Sequence, residues 1–255
     1  MSLACVIVGV DPSDLGHEAL RQALAIRPSG SSLFAVTVVE DYLAAKTGFD
    51  ATRVAAELVE EADRTRQCVQ ALIADTPSTE SCLLRGNAAA ALLAACRREQ
   101  ATLLVVGARH HSRAAGDLVG STATAVLRDA PCPVLLARSG SGARWQPERI
   151  VVGMDGSAQS LAALAAAAAL AERFGSTVTV AAATGGKPIE REQAWAERVD
   201  VWAGSAPVSA LLDLSADADL LIVGSRGLHG LRALGSVSER LAHRASCSVL
   251  VVRPT

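Results

Sequence analysis

Four stretches of this chain occur twice, in the same order. A-C-V-I-V-G-V-D-P-S near the start returns as R-I-V-V-G-M-D-G-S at 149–157, and T-L-L-V-V-G-A-R-H at 102–110 returns as D-L-L-I-V-G-S-R-G at 219–227. L-V-G-S-T-A-T-A-V-L-R-D-A (118–130) is matched by A-L-G-S-V-S-E-R-L-A-H-R-A (233–245), and P-C-P-V-L-L-A-R (131–138) by S-C-S-V-L-V-V-R (246–253). A tandem duplication confines the fold to a unit that half of a 255-residue chain can complete, and then complete again. The spacing locates the differences between the copies. Asp11 and Asp155 are 144 apart, Gly107 and Gly224 117, and Gly120 and Gly235 115. The second copy therefore lacks 27 residues (144 less 117) between its Asp and its glycine loop, and two more (117 less 115) inside that loop. The expected division is 1–138 for the first unit, 139–147 for a linker reading S-G-S-G-A-R-W-Q-P, and 148–255 for a shortened second unit.

Short β-branched runs alternate with Ala/Leu-rich helical patterns. Strands are predicted at 4–10, 33–39, 81–85, 102–107 and 133–138, with helices at 14–27, 50–74, 88–99 and 120–129. The second copy predicts strands at 149–154, 176–182, 199–203, 219–224 and 248–253, and helices at 158–173, 207–215 and 235–244. Apolar strands alternating with helices imply an α/β fold: two tandem domains, each a five-stranded parallel sheet with helices on both faces. The residues missing from copy two fall where copy one has its long second helix. Only K-P-I-E-R-E-Q-A-W-A-E-R (187–198) remains there, which predicts a thinly covered sheet face. Half the chain is hydrophobic with only seven aromatics, so Ala, Val and Leu must fill the core.

A formal charge of −2 argues against nucleic-acid binding by phosphate neutralisation. The apolar runs 101–108 and 164–171 are far short of the roughly 20 residues that span a bilayer, so no membrane partner is expected. The N-terminus has no basic stretch before its apolar run and does not read as a secretion signal. Six cysteines without a C-x-x-C pair fit buried free thiols in a reducing cytoplasm.

In an open α/β sheet a ligand binds beyond the carboxyl ends of the strands, where the strand order reverses. Two features of each copy fall there: the Asp closing the first strand (Asp11, Asp155), and a glycine loop after the fourth strand that leads into a helix beginning Gly120-Ser121 or Gly235-Ser236. Glycines let backbone amides approach an anion, and a helix start adds unpaired N–H groups and a positive dipole end. The serines can cap the helix or donate to a phosphate. The Asp can accept from a base amino group or a ribose hydroxyl. Each feature alone also reads as a plain helix cap or Asx turn. Their doubled co-occurrence favours a phosphate-bearing ligand.

With these residues the chain resembles a tandem universal stress protein, whose nucleotide-binding members carry Asp after the first strand and G-x2-G-x9-G-[S/T] after the fourth. Gly224, Gly227, Gly235 and Ser236 match those residue types, but seven residues separate Gly227 from Gly235. Copy one keeps the nine-residue spacing to Gly120-Ser121, while His110 stands where the second glycine belongs. The resemblance implies an adenine-nucleotide-alpha-hydrolase-like fold, its domains packed as a pseudo-two-fold pair through their last strands, with a further homodimer left open. It implies an adenine nucleotide, ATP foremost with ADP, AMP or cyclic AMP as alternatives, and Mg2+ accompanying ATP. The expected contacts are Asp11 with Gly107, His110, Gly120, Ser121 and Thr122, and Asp155 with Gly224, Gly227, Gly235, Ser236 and Val237. Val38 would touch the adenine, and Ala183 stands in its place in copy two.

No Ser/His/Asp or Cys/His set can be assigned, no P-loop lysine follows the glycines, and His110-His111 lacks ligand-spaced partners for a metal. Three readings follow in order: a stress-response regulator that binds an adenine nucleotide, an interaction module of the same fold, and a weak ATPase.

Overall fold

The computed structural model describes residues 3–108, 120–138, 145–182, 199–203, 207–225 and 236–253. The first half runs β1 (Cys5–Gly9), α1 (Asp14–Ile26), β2 (Ser32–Val39), a 3-10 stretch (Asp41–Asp50), α2 (Ala51–Ile73), β3 (Thr79–Arg85), α3 (Ala88–Arg98), β4 (Leu103–Gly107), α4 (Ser121–Asp129) and β5 (Val134–Ala137). The second runs β6 (Arg149–Met154), α5 (Ala158–Phe174), β7 (Thr177–Ala182), β8 (Val199–Ala203), α6 (Pro207–Ser215), β9 (Leu220–Gly224), α7 (Ser236–Arg244) and β10 (Ser248–Val252). The 3-10 stretch, which packs on α2, carries no helical or strand periodicity in sequence and was not expected. Residues 187–198, where thin cover was expected, lie outside the described residues, as does most of the linker.

The strands form one ten-stranded sheet in the order β3-β2-β1-β4-β5-β10-β9-β6-β7-β8. Within each half every pairing is parallel. Central strands of this kind are covered on both faces and read as continuous apolar runs, as in β4, where Leu103, Leu104 and Val105 are all buried. One core layer joins the sheet to α1, α2 and α5 through Ile26, Val69 and Leu170. The other joins it to α3, α4, α6 and α7 through Leu92, Val126, Leu211 and Leu241. Among the described residues no helix is long and apolar enough to cross a membrane.

The halves meet where β5 runs antiparallel to β10, with Leu135 opposite Leu250. Two arginines reach across this seam. The Arg138 guanidinium, 2% exposed, donates to the Cys247 carbonyl at 3.1 Å and to that of Ala242 near the end of α7. Arg253, at the matching position after β10, donates to the Leu127 carbonyl near the end of α4. Carbonyls in a last helical turn lack intrahelical partners and carry the negative end of the dipole, so a cation suits them. Burial pulls the Arg138 guanidinium down to about 10, partly offset by the Cys247 thiol, which leaves it charged at neutral pH. Gln22 of α1 donates to the Arg138 carbonyl at 2.9 Å. Away from the sheet, Arg173 of α5 donates to the Ala25, Ile26 and Arg27 carbonyls that end α1, with its guanidinium 5.0 Å from the Phe174 ring centre.

Arg138→Ala should strand two buried carbonyls and cost about 2–4 kcal/mol in urea unfolding. Arg138→Lys should recover little, because one ammonium cannot reproduce the forked geometry.

Candidate functional site

A cavity of about 850 Å³ opens at the carboxyl ends of β1, β2 and β4. β1 lies between β2 and β4, so the connections leave it in opposite directions and open a crevice there. Val36 and Val38 of β2, Val106 of β4, and Ala88 and Leu92 of α3 form its apolar walls. Asp11, Gly107, Gly120, Ser121 and Thr122, singled out in sequence, line it together with Val38. Ser13, Gly16, Glu40 and Arg128 also line it and were not singled out. Asp155 follows β6, Gly224 ends β9, and Ser236 and Val237 open α7, which are the corresponding places in the second half. His110, Gly227, Gly235 and Ala183 lie outside the described residues.

Three helix starts border the cavity, and they differ in how their N–H groups are satisfied. At α1, Ser13 Oγ accepts from the Gly16 N–H at 3.2 Å, and Asp11 Oδ1 accepts from the Ser13 N–H at 3.1 Å and from its hydroxyl. At α3, the Asn87 side chain accepts from the Ala90 N–H at 3.1 Å, and Glu40 Oε1 accepts from the Ala88 N–H at 3.0 Å. At α4 the cap is Gly120, which has no side chain to accept from the first turn, and among the described residues none is seen to cap it. A helix start left open in this way presents N–H donors and a positive partial charge.

The glycines divide by cause. A Cβ on Gly107 would stand 2.8 Å from the Leu15 carbonyl oxygen, and one on Gly224 would stand 2.6 Å from that of Gln159. Leu15 and Gln159 hold the same place in the first turns of α1 and α5. These two glycines thus have a packing reason: they let that turn lie on the end of the fourth strand of each half. Gly120 has φ −53° and ψ 152°, open to any residue, and a Cβ there would meet nothing within 4 Å. The described residues place no steric demand for glycine at 120.

The second half repeats the α1 arrangement. Asp155 Oδ1 accepts from the Ser157 N–H at 3.0 Å, and Ser157 Oγ accepts from the Ser160 N–H at 3.2 Å. Burial raises the Asp155 pKa, but hydrogen bonds from the Ser157 hydroxyl and N–H and from Ser160 outweigh it and hold the carboxyl below its usual value. Among the described residues no group of three or more His, Cys, Asp or Glu is placed to hold a metal ion.

The universal stress protein family matches residues 5–138, 147–188 and 190–253 of this chain. Universal stress protein Rv2623 of Mycobacterium tuberculosis (strain ATCC 25618 / H37Rv) is 30% identical over 181 residues, covering 58% of this chain and 60% of that relative's own length. Among solved structures, a universal stress protein from Archaeoglobus fulgidus DSM 4304 superposes with a TM-score of 0.67 at 18% identity, covering 99% of both chains. Protein PA1789 from Pseudomonas aeruginosa PAO1 gives a TM-score of 0.69 at 16% identity, covering 99% of this chain and 93% of its own. At these identities the two structures speak to the fold.

Gly107→Ala and Gly224→Ala should each destabilise the protein by about 1–3 kcal/mol, whereas Gly120→Ala should leave thermal unfolding unchanged within about 0.5 kcal/mol. The depressed Asp155 pKa means its hydrogen bonds stabilise the fold above the ordinary carboxyl value of about 3.9 and are lost as pH falls through the folded value. An NMR titration of its carboxyl carbon should show a midpoint below that ordinary value, and Ser157→Ala should move it upward.

Proposed function

The chain belongs to the universal stress protein family, and on that premise we propose that its first half binds an adenine nucleotide, ATP foremost, and acts as a nucleotide-responsive regulator of the stress response. The observation that carries this reading is the open start of α4. Of the three helix starts on the cavity, it alone lacks a side-chain cap among the described residues, and its cap residue is a glycine beside which a Cβ would meet nothing within 4 Å. The N–H groups of Ser121, Thr122 and Ala123, with two hydroxyls among them, suit phosphate oxygens. The Val36, Val38 and Leu92 walls suit the flat faces of a base, and Asp11 can accept from a ribose hydroxyl. Mg2+ would arrive coordinated by the phosphates, as it usually is at nucleotide sites.

In this reading 1–138 and 148–255 are two domains joined by 139–147, and the β5–β10 seam makes them an intramolecular counterpart of a dimer, working in the cytoplasm. Asp155 with the 224–237 segment forms the second site. One observation favours an interaction module instead: Gly107 and Gly224 are required by packing, so part of the glycine pattern would persist without a ligand.

Calorimetry of the full chain with ATP, ADP, AMP and cyclic AMP decides between them. The nucleotide reading expects binding, weakened about ten-fold or more by Gly120→Val, which fills the space beside α4 while thermal unfolding without ligand stays unchanged. Absence of binding to all four, or a Gly120→Val variant that binds like the parent, supports the interaction module.

A further inference from the structure

The capping of the three helix starts also fixes which way a nucleotide lies. The starts of α1 and α3 are occupied by acidic or amide side chains of the protein itself, so the phosphates belong at α4 and the base at the opposite end. We infer that Glu40 is the residue that reads the base, accepting a hydrogen bond from the exocyclic amino group of adenine; the inference rests on the nucleotide reading above.

Side chains on a strand alternate between faces, so Val36 and Val38 share the cavity side of β2, and Glu40, the residue just past its end, lines the cavity beyond them. β1 ends at Gly9, opposite Val36, while β2 continues beside β3 as far as Val39, opposite Arg85. Glu40 therefore stands about 13 Å beyond the Val36 level, at about 3.3 Å per residue. Ala88 and Leu92 also line this part of the cavity, so the apolar slot ends at a carboxylate.

That carboxylate is held in place. Its Oε1 accepts from the Ala88 N–H at 3.0 Å and from the Tyr42 hydroxyl at 3.2 Å, and Asn87 Nδ2 donates to Tyr42 at 3.3 Å. Both described donors fall on Oε1, and in this proposal Oε2 is the acceptor for the ligand. An ionised carboxylate accepts hydrogen bonds and cannot donate them. It suits a 6-amino group and repels the 6-oxo group of hypoxanthine.

Calorimetry with ATP, inosine triphosphate and 2′-deoxyATP tests this on the full chain and on Glu40→Gln. The parent should prefer ATP over inosine triphosphate by about ten-fold or more. Glu40→Gln keeps an oxygen for the Ala88 N–H but can donate to a 6-oxo group. It should narrow the preference to within about three-fold and weaken 2′-deoxyATP as much as ATP. Should that variant unfold early, Glu40→Asp, which retracts the carboxylate by one methylene, must narrow the preference instead. An undiminished preference in the folded variant overturns the inference, as does a loss for ATP without a loss for 2′-deoxyATP, which would assign Glu40 to the ribose. A parent that binds nucleotides without discriminating them overturns this inference alone. A parent that binds none overturns the nucleotide reading with it.

Discussion

The antiparallel pairing of β5 with β10 is the contact on which the rest of the architecture depends. Val134, Leu135, Leu136 and Ala137 are buried on both faces, so a free β5 edge would expose a row of backbone donors and acceptors beside apolar side chains. Running the last strands of the two halves antiparallel closes both edges at once and leaves β3 and β8 as the outer strands. The register has to be unique, because a slip of one residue would turn Leu135 and Leu250 to the wrong faces. Arg138 and Arg253 secure it from both sides. Each follows the last strand of its own half and reaches the same carbonyl position in the last helix of the other. The described partners of the Arg138 guanidinium are carbonyls, so removing them would leave a buried charge uncompensated.

That seam also bears on the cavity. α4 begins at Ser121 on the cavity wall, and its Leu127 carbonyl is held by Arg253 of the second half. One nine-residue helix thus meets the cavity at its first turn and the partner half near its last.

Much of this was legible in the chain because strands covered on both faces leave a strong signature: short apolar runs closed by Gly or Asp. β6, β8 and α6 begin and end where the sequence patterns place them. The 3-10 stretch after β2 escaped because Asp41–Asp50 has neither period and takes its shape from α2. Arg138 and Arg253 stood in the repeat, yet an arginine closing a strand reads as a surface residue until the opposing half is in place. Glu40 escaped for a related reason: its relevance depends on β2 outrunning β1, which is a property of the sheet and not of the strand. The glycine loop shows the limit most directly. Gly107 and Gly120 belong to one motif in sequence, and only the nearness of Leu15 to the first and of open cavity to the second separates a packing glycine from a vacant one.

A helix start attracts an anion only where the chain has left its N–H groups unspent. Among the described residues of this cavity, side chains take up N–H groups at two of three. Asp11 and Ser13 close α1, and Asn87 and Glu40 close α3, so the same acids that satisfy those helices repel a phosphate from them. The cavity is thereby polarised, acidic along β1 and β2 and electropositive at α4. That polarity is independent of any family pattern, since it follows from which hydrogen bonds are already made. Asp155 and Ser157 repeat the first of these closures at α5. In the second half, too, an acid and a serine take up N–H groups at the start of the helix that follows the first strand.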